Sequence, residues 1–438
     1  MWFVGLLGVA VVLQAQDPPA LPLTLRKSLE IALATDGNAR VEMAQEGILQ
    51  AEARKNQARA ALLPHVDGSV SYQSLTRNLR AFGIEFPAIP GLAFSTFAGP
   101  FTIFDARANA TQSLVDLGSV RRYQAAKAAT EVSKLDRDHT RLQVMDFVAR
   151  AYLGALRAEA HLESAKANLE LAQAIERLSD SQRKAGTGTR IEVTRAQVQV
   201  AAEKGRLIVA EAERNRTHLQ LLRAMDLKLE ARLELTDRLQ YSAPQPISLE
   251  LATEMALERR ADYRAQRQRE QAARMTYQSV SMERVPTVAL FADYGAIGGG
   301  INDSRATRTV GVSMRVPIFD GGRREARRAE SGSQLRLEAI RTRDLRQQLD
   351  LELRVAFDSL RSAEAQVQSA TEGLDLAQRE LEQAERRYKA GVANSLEITD
   401  AQTRLTRARE TRVNALFAHN LARLDLGTAL GAVERYLP

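Results

Sequence analysis

The sequence predicts an α+β membrane protein with two internal structural repeats, in which long coiled-coil helices form an α-helical barrel and short strands belong to a transmembrane β-barrel. Three observations carry this. The chain matches itself at a nearly constant offset. Large residues recur every seven positions over stretches free of proline. Between those stretches, segments of about ten residues alternate apolar and polar side chains, a pattern that suits a membrane barrel strand or a half-buried soluble sheet.

Composition narrows the class. The 438 residues are 45% hydrophobic and 26% charged, with no cysteine, 12 prolines and 25 glycines, which excludes a disordered chain, a collagen-like polymer, a disulfide framework and a thiolate metal site. Sixty-one Lys and Arg stand against 54 Asp and Glu, a net +7 with pI near 9.7. So small an excess over so many charges reads as long solvated faces of mixed sign rather than a nucleic-acid surface.

Taken in order, the first element is MWFVGLLGVAVVLQA, residues 1–15, expected to be a secretory signal ending near Ala15 ahead of the polar QDPPALP. It lacks a Lys or Arg before the apolar run, and Leu13 stands where a small residue is preferred. It is too short to span a bilayer, and no later run of 18 apolar residues exists, so entry into a membrane would be without transmembrane helices.

The first repeat is expected over residues 24–240: a helix, a β-hairpin about 65–116, a long helix about 120–184 and a return helix about 190–235. A proline-bearing linker, 241–248, leads to the second repeat, 249–438, with a helix, a hairpin about 287–319, a long helix about 325–390 and a return helix about 395–431. AGTGTRIEVTRAQ from Ala185 aligns with AGVANSLEITDAQ from Ala390, and VDLGSVRR from Val115 with FDGGRREA from Phe319. Upstream, Pro64 aligns with Pro286, which places about 18 extra residues between Pro64 and Gly118.

In the second long helix Leu353, Leu360, Val367, Leu374, Leu381 and Tyr388 form one core row, and Ala356, Ala363, Ala370, Ala377 and Ala384 the other. Alanine at one core position lets helix axes approach closely. At ~1.5 Å per residue each long helix reaches about 100 Å. The strands are expected around Val66 to Gln73, Val288 to Tyr294 and Thr309 to Phe319, with Pro64 and Pro286 at the helix-to-strand junctions and IGGGINDS as a hairpin loop. Four strands cannot close a barrel, and an open edge is not tolerated in hydrocarbon, so several chains must share one; three would give twelve strands, wide enough for a lumen. A soluble periplasmic coiled-coil rod with a β cap is the alternative.

The ordered set of Leu62-Leu63-Pro64 and Val285-Pro286 junctions, the FDGGRR segment with its degenerate copy VDLGSV, and the AGTGTRIE and AGVANSLE turns resembles the TolC family of outer-membrane efflux proteins over nearly the whole mature chain. The resemblance implies a homotrimer with a 12-stranded outer-membrane barrel, a periplasmic adaptor protein as partner and an inner-membrane transporter as energy source. It implies an exit channel of a tripartite efflux pump or type I secretion system, set in outer-membrane lipid with a large periplasmic part. The lack of cysteine leaves no site for the lipid anchor of some members.

The resemblance also assigns residues. Ala185, Gly186, Ala390 and Gly391 are adaptor-docking candidates, although a tight helix reversal alone accounts for both glycines. Glu192, Glu397, Asp400 and Tyr388 match gate positions. Glu397 and Asp400 share a helix face, and in a trimer would form rings of like charge. The gate arginine of better-known members is replaced by Ala393, so Arg190 or Arg195 must supply the closing ion pair if one exists. Independently of the resemblance, Arg121, Arg122, Arg323 and Arg324 cluster at strand-to-helix junctions, as candidates for lipid headgroup contact or as plain helix-surface charge. Six of the twelve phenylalanines fall between Phe82 and Phe104, as an aromatic girdle, a lid or a loop core. The five histidines are isolated, and no HExxH, nucleophile elbow or P-loop is present, so no enzyme activity, cofactor, metal or nucleic-acid partner is expected.

Overall fold

The computed structural model describes residues 21–34, 38–84, 95–243 and 246–436. The expected signal segment lies outside the described residues, as do positions 244 and 245 of the linker and Phe86 and Phe94 of the phenylalanine cluster. In chain order the elements are β1 (Leu21–Leu23), α1 (Leu25–Leu33), α2 (Ala39–Ala60), β2 (His65–Asn78), β3 (Phe97–Val115), α3 (Leu117–Lys184), α4 (Arg190–Ala224) and β4 (Leu233–Leu235). There follow α5 (Leu249–Arg259), α6 (Ala261–Ser281), β5 (Thr287–Gly298), β6 (Arg305–Arg315), α7 (Arg323–Lys389), α8 (Ser395–Ala429) and α9 (Val433–Tyr436). Two compact units result, one of Met1–Ala44, Arg137–Ala261 and Arg346–Pro438, the other of Gln45–Asp136 and Asp262–Leu345.

The first unit is helical. Leu353, Leu360, Val367, Leu381 and Tyr388 of α7 are buried, as are all five alanines of the second heptad row. They face Ala401, Ala415, Ala422 and Ala429 of α8, also buried. A second core gathers Tyr152, Leu153, Leu221, Leu222 and Leu424 around β1 and β4, which pair in parallel. At its centre the Tyr152 hydroxyl lies 2.8 Å from Asp237 Oδ2 and 3.0 Å from the Leu23 carbonyl, while Leu25 N–H donates to the same Asp237 oxygen at 2.8 Å. Burial, then the adjacent carboxylate, pushes the Tyr152 phenol well above its ordinary range, so it remains a donor. One carboxylate thereby ties the start of α1 to the segment after β4.

The second unit holds a four-stranded antiparallel sheet in the order β2-β3-β5-β6. Register sorts its side chains sharply. Val66, Val70 and Tyr72 of β2 lie opposite Ala110, Ala106 and Phe104 of β3, and Ala110 opposite Ala292 of β5. Leu290, Ala292 and Val288 then oppose Val312, Val310 and Met314 of β6. Because paired residues share a face, one side of the sheet is mainly apolar, with Arg308 opposite Tyr294 and Gln112 opposite Leu290 among its polar members. The opposite side carries Ser69, Ser71, Asn109, Thr309 and an Arg107 that pairs with Asp105 at 2.7 Å and Asp293 at 3.3 Å. Val66, Val70 and Val310 are 70 to 75% exposed, so nothing among the described residues covers the apolar side there.

Four expectations are corrected. The helix at the start of each half is two helices, α1 with α2 and α5 with α6. The first return helix stops at Ala224 rather than near 235, because Asp226 takes φ 57 and Leu227 N–H bonds back to the Leu222 carbonyl. Asp is one of the few side chains that enters that region readily. Residues 233–235 form β4 instead. The last strand ends at Arg315, short of Phe319, where Pro317 removes a ladder donor. The second return helix ends at Ala429 by the same device, Gly431 at φ 66 with Ala432 N–H on the Gly427 carbonyl.

Candidate functional site

The candidate residues at the helix reversals are all in the first unit. Gly186 and Gly391 adopt φ 80 and φ 72, where any side chain is strained. Behind each, the chain closes the same pair of bonds. Gly186 N–H reaches the Arg183 carbonyl and Thr187 N–H the Gln182 carbonyl; Gly391 N–H reaches Tyr388 and Val392 N–H reaches Arg387. This is a Schellman cap, which satisfies carbonyls that the last helical turn leaves free. Ala185 and Ala390 each continue the helical bonding by one residue, to the Ser181 and Arg386 carbonyls.

Glu192 is engaged as a cap. Its carboxylate accepts from Thr189 N–H at 2.8 Å in a capping box that opens α4. Glu397 occupies the first turn of α8, where Asn394 caps Leu396 and Glu397 N–H. Its carboxylate accepts from Arg387 Nε at 2.8 Å, an ion pair half exposed to solvent. The cation paired with Glu397 is Arg387, not Arg190 or Arg195. The signal was in the sequence: Arg386 and Arg387 sit in the last turn of α7, within reach of the first turn of α8 once the reversal is tight. Asp400 is exposed on the same side of α8.

Tyr388 is placed differently from a residue that faces a channel. It is 3% exposed, its hydroxyl hydrogen-bonds Ser179 Oγ at 3.1 Å, and its carbonyl accepts from Gln182 Nε2 at 3.1 Å. It joins α3 to α7 just above the turn. Two further bonds join α3 to α8: Arg409 donates to Asn168 at 2.6 Å, and His161 lies 3.2 Å from Asn414.

The arginines divide. Arg324 bonds Asp320 at 2.9 Å and the Pro317 carbonyl at 3.2 Å, so it closes the FDGGRR turn rather than reaching toward headgroups. Burial alone would raise the Asp320 carboxyl, yet the Arg324 bonds outweigh it and hold the group below the usual carboxylate range. Arg121 bonds Gln124 at 2.8 Å, while Arg122 and Arg323 are exposed. Asp116 caps α3 through Ser119 N–H at 2.9 Å, a role the sequence reading missed although Asp116 and Asp320 occupy matching positions.

Among the described residues no cluster of His, Asp and Glu could hold a metal ion, and no helix is long and apolar enough to cross a membrane. The model of the outer membrane efflux protein family matches residues 31–226 and 252–432. The chain belongs to that family. It is therefore an outer-membrane protein of export, and its α+β fold is the one such channels share. The pyoverdine export outer membrane protein OpmQ of Pseudomonas putida is 27% identical over 407 residues, covering 92% of this chain and 84% of that one. Among solved structures, a membrane protein of Pseudomonas aeruginosa superposes with TM-score 0.82 at 18% identity, over 93% of this chain and 90% of that one. The outer membrane protein VceC of Vibrio cholerae gives 0.78 at 20% identity, over 93% and 96%. These two likenesses concern the fold.

Proposed function

We propose that three copies of the chain form the exit duct of a tripartite efflux or type I secretion system, each contributing its four strands to one twelve-stranded barrel. The sheet supports this reading: one side is mainly apolar and exposed, the other polar with an internal ion network, and the outer edges of β2 and β6 are unpaired among the described residues. An apolar side of strands 11 to 19 residues long suits contact with hydrocarbon, where unpaired backbone is not tolerated. Copies that add strands at both edges satisfy that condition.

The two halves of the chain serve as structural repeats, each supplying a hairpin and a helix pair with a Schellman-capped reversal. Ala185, Gly186, Ala390 and Gly391 present that reversal to a periplasmic adaptor, and an inner-membrane transporter supplies the energy. Glu397 and Asp400 line the narrow end, and the Arg387 pair with Glu397 holds the closed form. Glu192 and Tyr388 act by shaping that end, one as a helix cap and the other as a staple between helices. Arg122 and Arg323 meet lipid headgroups.

Planar-bilayer recording of the purified protein tests this. A pore with cation preference is expected, with preference reduced and opening more frequent when Glu397 and Asp400 are both replaced by alanine. No conductance in the wild type, together with release of the protein by osmotic shock without detergent, contradicts the duct.

A further inference from the structure

In the second unit the helices continue the strands: α2 leads into β2, β3 into the start of α3, α6 toward β5, and β6 into α7. They pack in the same order. Thr130 of α3 donates to the Ala51 carbonyl of α2 at 3.4 Å. On one flank of α6, Arg269 pairs with Asp136 of α3 and Ser279 Oγ donates to the Gly118 carbonyl at 2.8 Å. On the other, Gln266 Nε2 donates to Glu338 of α7 at 2.9 Å, and Glu270 accepts from Thr342 at 2.9 Å. Both flanks of α6 are thus occupied within the chain, and its remaining face is not an edge that another copy would meet.

That face is basic. Arg264, Arg267, Gln271, Arg274 and Gln278 recur at intervals of three and four, which puts them in one row on α6. With Gln268, Met275 and Leu135 of α3 they line a groove of about 620 Å³. Among the described residues that line it, Glu270 is the one carboxylate; it lies 3.6 Å from Arg274 and is shared with Thr342. Arg264 and Arg267 are exposed, and neither guanidinium has an ion pair or hydrogen bond among the described residues. Arg269, off the row, is taken by Asp136. No aromatic side chain among the described residues lines the groove, so nothing there stacks on a base.

Position narrows the ligand further. Arg274 and Arg264 come 13 and 23 residues before Thr287, the first residue of β5, so at ~1.5 Å per residue they lie about 20 and 35 Å from the sheet along α6. A lipid headgroup at the ends of the strands does not reach them. We infer that this groove binds a soluble linear polyanion, whose successive carboxylate or phosphate groups pair with Arg264, Arg267 and Arg274 while other oxygens accept from Gln268, Gln271 and Gln278. Guanidinium geometry suits either oxyanion. One exposed contact of this kind is weak, and several on a single ligand reinforce one another, so ligand length matters as well as charge.

Hexaglutamate, about 20 Å long when extended at ~3.3 Å per residue, is a probe that spans the row, and free glutamate is the short control. Isothermal titration of the purified protein in detergent at low salt should show one hexaglutamate bound per chain, with affinity that falls as salt rises, and no measurable heat from glutamate at the same concentration. Replacing all three arginines, Arg264→Gln, Arg267→Gln and Arg274→Gln, should keep the helical circular dichroism of the wild type and weaken hexaglutamate binding about tenfold or more. Arg267→Gln alone should give a smaller loss. Removing the same charge from exposed positions of α7, with Arg343→Gln, Arg346→Gln and Arg361→Gln, should leave the affinity unchanged. No binding by the wild type, or equal weakening in the two triple variants, overturns the site. Neither outcome alters the bilayer recording of the pore, so the duct stands or falls separately.

Discussion

At the scale of single residues, the ion pair between Arg387 and Glu397 joins α7 to α8 at the second helix reversal. It is exposed enough that its coupling is expected at ~0.2–1 kcal/mol. A double-mutant cycle with Arg387→Ala and Glu397→Ala, read as channel open frequency, should therefore give a coupling of no more than about 5-fold. His419 offers a different test. It is fully buried on α8, with both ring nitrogens lacking partners among the described residues; its ring lies 4.8 Å from Tyr241, and burial, then the nearby Arg423, lowers its pKa against the opposing pull of Glu364. A base with a lowered folded pKa stabilises the fold fully above its ordinary 6.5 and loses that contribution as pH falls below it. Thermal melts of the wild type should decline from pH 6.5 downward, and His419→Leu should flatten that limb; parallel curves contradict the assignment. Glu397 was legible because acids in a first helical turn are readable. Its partner was legible only through the reversal: Arg387 lies in the last turn of α7 and comes within reach of Glu397 once Gly391 turns the chain.

At the scale of elements, the reversals depend on Gly186 and Gly391. Gly391→Val forces a β-branched residue to φ 72, expected to cost about 1–2 kcal/mol and to fray the ends of α7 and α8 in hydrogen exchange. The strands test the two sides of the sheet. Val312→Lys on the apolar side should cost about 2–4 kcal/mol of membrane stability and reduce outer-membrane yield, whereas Ser71→Lys on the polar side should insert normally. Equal yields would mean that the apolar side does not face lipid. Heptads, strand alternation and the junction prolines were legible because each is a periodicity or a hard steric rule. What was not legible turned on competition between local and distant partners. The Leu233–Leu235 run reads as an extension of α4 until Asp226 breaks it and β1 pairs with it. The alternation through Ile318 reads as strand until Pro317 withdraws a donor.

At the scale of the whole molecule, the account rests on subunits completing one another. A sheet with one apolar side and two open edges is stable in hydrocarbon only when other strands take those edges, and the chain brings no further strand to them among its described residues. The most direct measurement is the protein mass of the detergent-solubilised particle by native mass spectrometry. The account predicts a particle that holds three copies of the chain. A single-copy particle that remains soluble when detergent is removed would contradict it.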